Sequence, residues 1–157
     1  MRYFLLDRIT GFEKGSSASA IKNVTLTDET LHDHFPDHPT LPGALMIEAM
    51  AQLGGFLVEM SLNSRGHVRR ALLAMVDKAK FHQMAGPGDQ LVITANLGAV
   101  LEDAVRVSLR VECGERKIAT AELTFSLINI DSEKIHEQRR YMYKLWTRNL
   151  DRAPEIL

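Results

Sequence analysis

Cysteine is nearly missing from this 157-residue chain: Cys113 stands alone, so no disulfide can close within the molecule. A reducing compartment, the cytoplasm by default, is therefore the natural setting. Cys113 lies in the alternating run Val105–Cys113, which suits a small apolar filler better than a nucleophile. Net charge is close to zero, so composition points to neither nucleic acid nor a membrane surface. Long unbroken apolar runs are missing as well. The longest, Ala44 to Met60, is interrupted by Glu48, Gln52 and Glu59 and makes a poor membrane span. The apolar stretch after Met1 and Arg2 is too short for a secretory leader. There is no HExxH pattern and no cysteine pair. Gly86-Pro87-Gly88-Asp89 lacks the lysine of a phosphate loop and precedes a strand, so it reads as a turn.

What is present fits one α+β domain. Residues 8 to 24 alternate loosely around Gly15-Ser16-Ser17, which predicts two short strands joined by a turn. Thr27 or Asp28 is placed to cap a short helical turn. Ala44 to Met60 is apolar on nearly every side, the mark of a helix buried all round. Gly54 and Gly55 within it imply that something packs very close. Arg70–Phe81, Gln90–Leu101, Ala104–Cys113 and Lys117–Ile128 read as long strands separated by turns. The predicted architecture is an antiparallel sheet wrapped around one long helix. Ser132 to Leu150 returns to helical spacing, with Ile135, Met142, Trp146 and Leu150 on one stripe and Arg139, Arg140, Lys144 and Arg148 on the remainder.

The chemistry is expected in residues 34 to 52, HFPDHPTLPGALMIEAMAQ. His34 stands in a loop punctuated by proline, Pro42-Gly43 opens the helix, and Glu48 lies inside it with Gln52 one turn further on the same face. Taken singly, a loop histidine is usually a polar loop residue and a helix carboxylate can be a structural ion-pair partner. Together they offer a base, an acid and free backbone N–H groups at a helix start. His32, Asp33, His34, Asp37 and His38 crowd together, but without a second ligand cluster they do not suggest a metal centre. Arg69, Arg70, Lys78 and Lys80 read as solvated charges that lean towards an acidic carrier.

This block resembles that of the FabZ-type 3-hydroxyacyl-[acyl-carrier-protein] dehydratases of the hot-dog superfamily, whose signature is HFP-x-x-P-x-x-PG-x-x-x-x-E followed by AxAQ. Leu6–Ile9, Lys22–Thr25, Val76–Phe81 and Pro87–Leu91 resemble further family segments in the expected order. The resemblance implies a hot-dog fold over residues 1–130 with a C-terminal helical extension over 131–157. It implies His34 and Glu48 as catalytic residues, Gly43 as the thioester-holding N–H, Gln52 as the residue orienting Glu48, and Phe35 and Phe81 as substrate contacts. It further implies no cofactor, an acyl carrier protein or CoA as partner, and a homodimer whose sites take His and Glu from different subunits, with hexamers built from such dimers. Glu48, where the isomerising FabA type has Asp, favours dehydration without isomerisation. Asp37 departs from the glycine usual after HFP. The rival readings are a hot-dog thioesterase, an enoyl-CoA hydratase and a non-catalytic acyl-binding homologue.

Overall fold

The computed structural model describes residues 3–157, so Met1 and Arg2, at the head of the N-terminal stretch, lie outside the described residues. The two short strands are β1 (Arg8–Glu13) and β2 (Ser17–Asn23), joined by a turn in which Gly15 takes a positive φ of 75°. A 3-10 turn follows at Glu29–Leu31, and Asp28 caps it, accepting from the Thr30 N–H at 3.1 Å. The long helix α1 spans Gly43–Leu62. Strands β3 (Arg70–Phe81), β4 (Gln90–Val100), β5 (Ala104–Cys113) and β6 (Arg116–Ile128) come next, and α2 (Glu133–Thr147) closes the chain. These bounds lie within two or three residues of the sequence-based expectations.

The six strands form one antiparallel sheet in the order β1-β2-β4-β5-β6-β3. Along β5 and β6 alternate side chains are buried, so one face of the sheet is apolar and wraps α1. By length and composition α1 could cross a membrane, but most of its residues are buried inside the protein. The tight packing that Gly54 foretold is the ring of Phe125 on β6: a Cβ at residue 54 would meet it at 2.8 Å. This is a hot-dog fold.

The remaining side of α1 is covered by α2 and the N-terminal segment. Tyr143 meets Phe56 edge-on with ring centroids 5.1 Å apart, and the Trp146 indole donates to the Leu6 carbonyl at 3.0 Å. Met142, Tyr143 and Trp146 join the same core as the sheet. Two charged residues depart from the expectation of solvated faces. Arg70 is buried, donating to Glu59 Oε2 at 2.8 Å, while Glu59 Oε1 accepts from the Ala71 N–H at 3.0 Å. Arg139 turns towards the same pair, 4.0 Å from Glu59 Oε1. A buried ion has to be compensated, and Glu59 on α1 supplies the opposite charge.

Candidate active site

The loop before α1 is shaped by its prolines. Phe35 and His38 exchange both backbone hydrogen bonds, at 3.1 and 3.0 Å, around Pro36 and Asp37. Proline at the second position and a positive φ at the third are the pattern of a type II turn, and Asp37 has φ 63°. The third position of such a turn favours glycine, which accounts for the family's usual residue there. The loop is pinned by Thr40 N–H to the His34 carbonyl at 2.7 Å and by Leu41 N–H to Ala85 at 2.8 Å.

His34 is half-buried and stacks on Phe35 with ring centroids 4.4 Å apart. Its Nδ1 lies 3.0 Å from the Thr40 carbonyl oxygen. A carbonyl can only accept, so Nδ1 carries a proton, and in the neutral form of the ring the lone pair lies on Nε2. The cavity beside it, about 380 Å³, is lined by His34, Phe35, Gly43, Met46, Phe81 and Met84 among others. Gly43 opens α1, and no side chain caps that end among the described residues. Its N–H and those of the next two residues have no carbonyl one turn back to bind. The Phe81 ring lies so close that a Cβ on Gly43 would stand 3.0 Å from it. Phe35 and Phe81 are each about half exposed, at the mouth of the cavity.

Glu48 and Gln52 line a different cavity, of about 200 Å³, together with Gly55 on α1, Leu72 and Leu73 on β3, Phe125 on β6 and Arg139 on α2. Gln52 is held at both ends of its amide. Its Oε1 accepts from the Leu5 N–H at 3.0 Å, and its Nε2 donates to the Tyr3 carbonyl at 3.0 Å and to Glu48 Oε1 at 3.1 Å. The structure therefore joins Gln52 to Glu48, and His34 to Gly43, Phe35 and Phe81. It does not bring His34 and Glu48 into one cavity within a chain. Of the two carboxylates in the apolar helix, Glu59 is the fully buried one and is ion-paired, while Glu48 is only half-buried.

Arg139 in the Glu48 cavity was not foreseen. The spacing 139, 142, 143, 146 does put it on the buried face of α2, so the signal was present in the sequence. Burial works against its charge, but Tyr143, Glu59 and Glu48 outweigh that and raise its pKa further. Lys78 and Lys80 are exposed, Lys78 standing 3.7 Å from Glu122. Among the described residues no three His, Cys, Asp or Glu side chains are grouped to hold one metal ion.

A family model described as a FabA-like domain matches residues 1–122. The 3-hydroxyacyl-[acyl-carrier-protein] dehydratase FabZ of Caldanaerobacter subterraneus is 37% identical over 123 residues, covering 78% of this chain and 86% of that protein. The chain belongs to the FabZ-type dehydratases. The FabZ of Listeria monocytogenes is 33% identical over 132 residues, covering 82% of this chain and 88% of its own. Among solved structures this FabZ-type chain is similar to the dehydratase heterocomplex ApeI:P of Xenorhabdus doucetiae, at 19% identity and TM-score 0.63, over 87% of this chain and 90% of that one. A Streptococcus mutans protein bound to acetyl-CoA is likewise 19% identical, with TM-score 0.65, over 84% of this chain and 96% of that one. At that distance the likeness speaks for the hot-dog fold alone.

Proposed function

We propose that His34 and Glu48, drawn from two copies of this chain, carry out the dehydration of 3-hydroxyacyl thioesters that belongs to its family. Neutral His34 takes the proton from C2 through Nε2, and the electron pair forms the C2–C3 double bond. The C3–oxygen bond breaks as protonated Glu48 gives its proton to the departing hydroxyl, and water leaves. The thioester oxygen, which gathers negative charge meanwhile, is held by the Gly43 N–H at the helix start. Gln52 keeps Glu48 in position, and Phe35 and Phe81 guide the substrate past the mouth. The product is a trans-2-enoyl thioester, on an acyl carrier protein or on CoA, within cytoplasmic fatty-acid or related lipid synthesis.

The observation that carries this reading is the separation of His34 from Glu48 into two cavities of one chain. A second copy would bring them together, and β3 is placed to recruit it. It is an edge strand of the sheet, and Leu72, Leu73, Met75 and Val76 on it are exposed. Long apolar edge strands are otherwise avoided because they invite pairing. On the same strand Asp77 Oδ2 is buried with no hydrogen-bond partner among the described residues, a place for a donor from the second chain. Dimers of this kind would assemble further into hexamers. Residues 1–130 would form the dehydratase unit and 131–157 an extension, in keeping with a family match that ends at residue 122.

Complementation tests shared sites. His34→Ala and Glu48→Gln are each expected to be inactive, while a mixture refolded together regains about a quarter of wild-type hydration of a trans-2-enoyl thioester. Half of the random dimers are then mixed, with one intact site of two. No recovery in mixed dimers would overturn the shared site, and release of free thiol instead of hydration would favour thioester hydrolysis.

A further inference from the structure

The cavity that holds Glu48 contains a cation that no residue within the family match supplies. Arg139 comes from α2, beyond residue 122 where the FabA-like match ends, and reaches the wall shared by Glu48, Gln52, Gly55, Leu73 and Phe125. Its surroundings on the other side are accounted for. Arg139 Nη1 lies 4.0 Å from Glu59 Oε1 and donates to the Tyr143 hydroxyl at 3.4 Å. Glu59 is already committed: one oxygen takes Arg70 at 2.8 Å and the other the Ala71 N–H at 3.0 Å. Arg70 in turn is closed off by His136, whose Nδ1 lies 3.0 Å from its Nε. Arg139 therefore stands at the open end of a buried charge network. A guanidinium has five N–H donors, and these contacts engage the Nη1 side only.

We infer that Arg139 is a specificity-determining residue that receives an oxygen-bearing distal end of the acyl chain, a carboxylate above all. This rests on Glu48 working from the same cavity, as proposed above. The other walls are apolar, formed by Ala51, Gly55, Leu72, Leu73 and Phe125, and would accept methylene groups. The volume of about 200 Å³ is small, and a cation on its wall disfavours a long alkyl chain that could neither pair with it nor leave it hydrated. A carboxylate placed a few carbons beyond C3 meets a guanidinium already fixed from behind, so the pairing requires little further ordering. Glu48 shares this wall and its charge favours the Arg139 cation, so a substrate carboxylate engages the guanidinium where Glu48 carries the proton that its role as the acid requires. The extension thus does more than cover α1: it shapes the chemistry of the substrate.

Two CoA thioesters that cannot react, hexanoyl and adipoyl, separate this inference from the catalytic one by equilibrium binding. The wild-type protein is expected to bind the carboxylate-ended chain at least about tenfold more tightly, and Arg139→Met to lose that preference or reverse it. Arg139→Lys keeps the charge without the planar fork and should fall between the two. Equal or tighter wild-type binding of the hexanoyl chain overturns the inference without reference to any variant, as does a preference undiminished in folded Arg139→Met. Hydration of trans-2-hexenoyl-CoA, with His34→Ala as control, reports separately on the dehydratase chemistry. A binding preference without hydration upholds Arg139's assignment and counts against the catalytic reading; hydration without the preference does the reverse.

Discussion

His34 Nδ1 faces the Thr40 carbonyl at 3.0 Å, six residues along the same loop, and that contact decides which ring nitrogen can act as a base. Because the partner is backbone, the orientation survives substitution of the Thr40 side chain. His34→Ala should lower kcat/KM for enoyl-thioester hydration by about 10²–10⁴-fold while leaving the circular dichroism spectrum unchanged. Thr40→Val should retain most of the activity. A His34→Ala protein with near-normal rates would remove the proposed base.

Asp37 occupies a left-handed conformation, φ 63°, that glycine adopts without cost. Asp37→Gly should therefore stabilise the protein by up to about 1 kcal/mol, partly offset by the greater freedom of glycine in the unfolded chain. Thermal unfolding would show a rise of about 2–4 °C. A fall in Tm would mean that the Asp37 side chain makes a contribution larger than its backbone strain.

The Glu59–Arg70 pair ties α1 to β3 at full burial. Removing one partner strands the other charge, so Arg70→Met should cost about 3–5 kcal/mol. Replacing both with residues of similar size should cost less, since neither member of the pair is left unpaired, and the remaining cost comes from the Ala71 N–H and Arg139, which lose Glu59 as a partner. Denaturant titration of the single and double variants checks this, and equal losses in both would argue that packing rather than charge dominates.

Asp89 links the turn before β4 to the start of β6. It accepts from the Gly86 N–H at 3.0 Å and forms an ion pair with Arg116 at 2.6 Å. The Gly86 hydrogen bond, aided by Arg116 and opposed by partial burial, holds its pKa below the usual carboxylate value. A lowered pKa contributes stability that is fully present above the unfolded value and is lost as pH falls through the folded one. Asp89→Asn should then be less stable than wild type near neutral pH by about 1 kcal/mol, a figure kept small by solvent screening of a surface pair. The deficit should shrink as pH drops below 4 towards the depressed pKa, at about the scale of ordinary carboxylates. A deficit independent of pH would point to lost hydrogen-bond geometry instead of charge.

Local signals were enough for the sequence to determine the strands, the long helix and the turn that leads into it. Alternation along 104–113 and 117–128 follows from one buried sheet face, and a helix apolar all round implies a sheet wrapped about it. Pro36, Pro42 and Gly43 punctuate the site because turn and helix start constrain the backbone locally. What only the tertiary structure decided depends on residues far apart in the chain. Glu48 and Glu59 look alike on one apolar helix, yet Arg70 and Ala71 from β3 and Arg139 from α2 surround Glu59, leaving Glu48 beside an open cavity. Arg70 and Arg139 read as surface charges until the sheet and α2 close over α1. Likewise, that His34 and Glu48 stand apart in one chain follows from how the loop and the helix are packed. Spacing alone could place Arg139 on the buried face of α2, but the partners that it and Arg70 meet there belong to the assembled neighbourhood, which no spacing along the chain records.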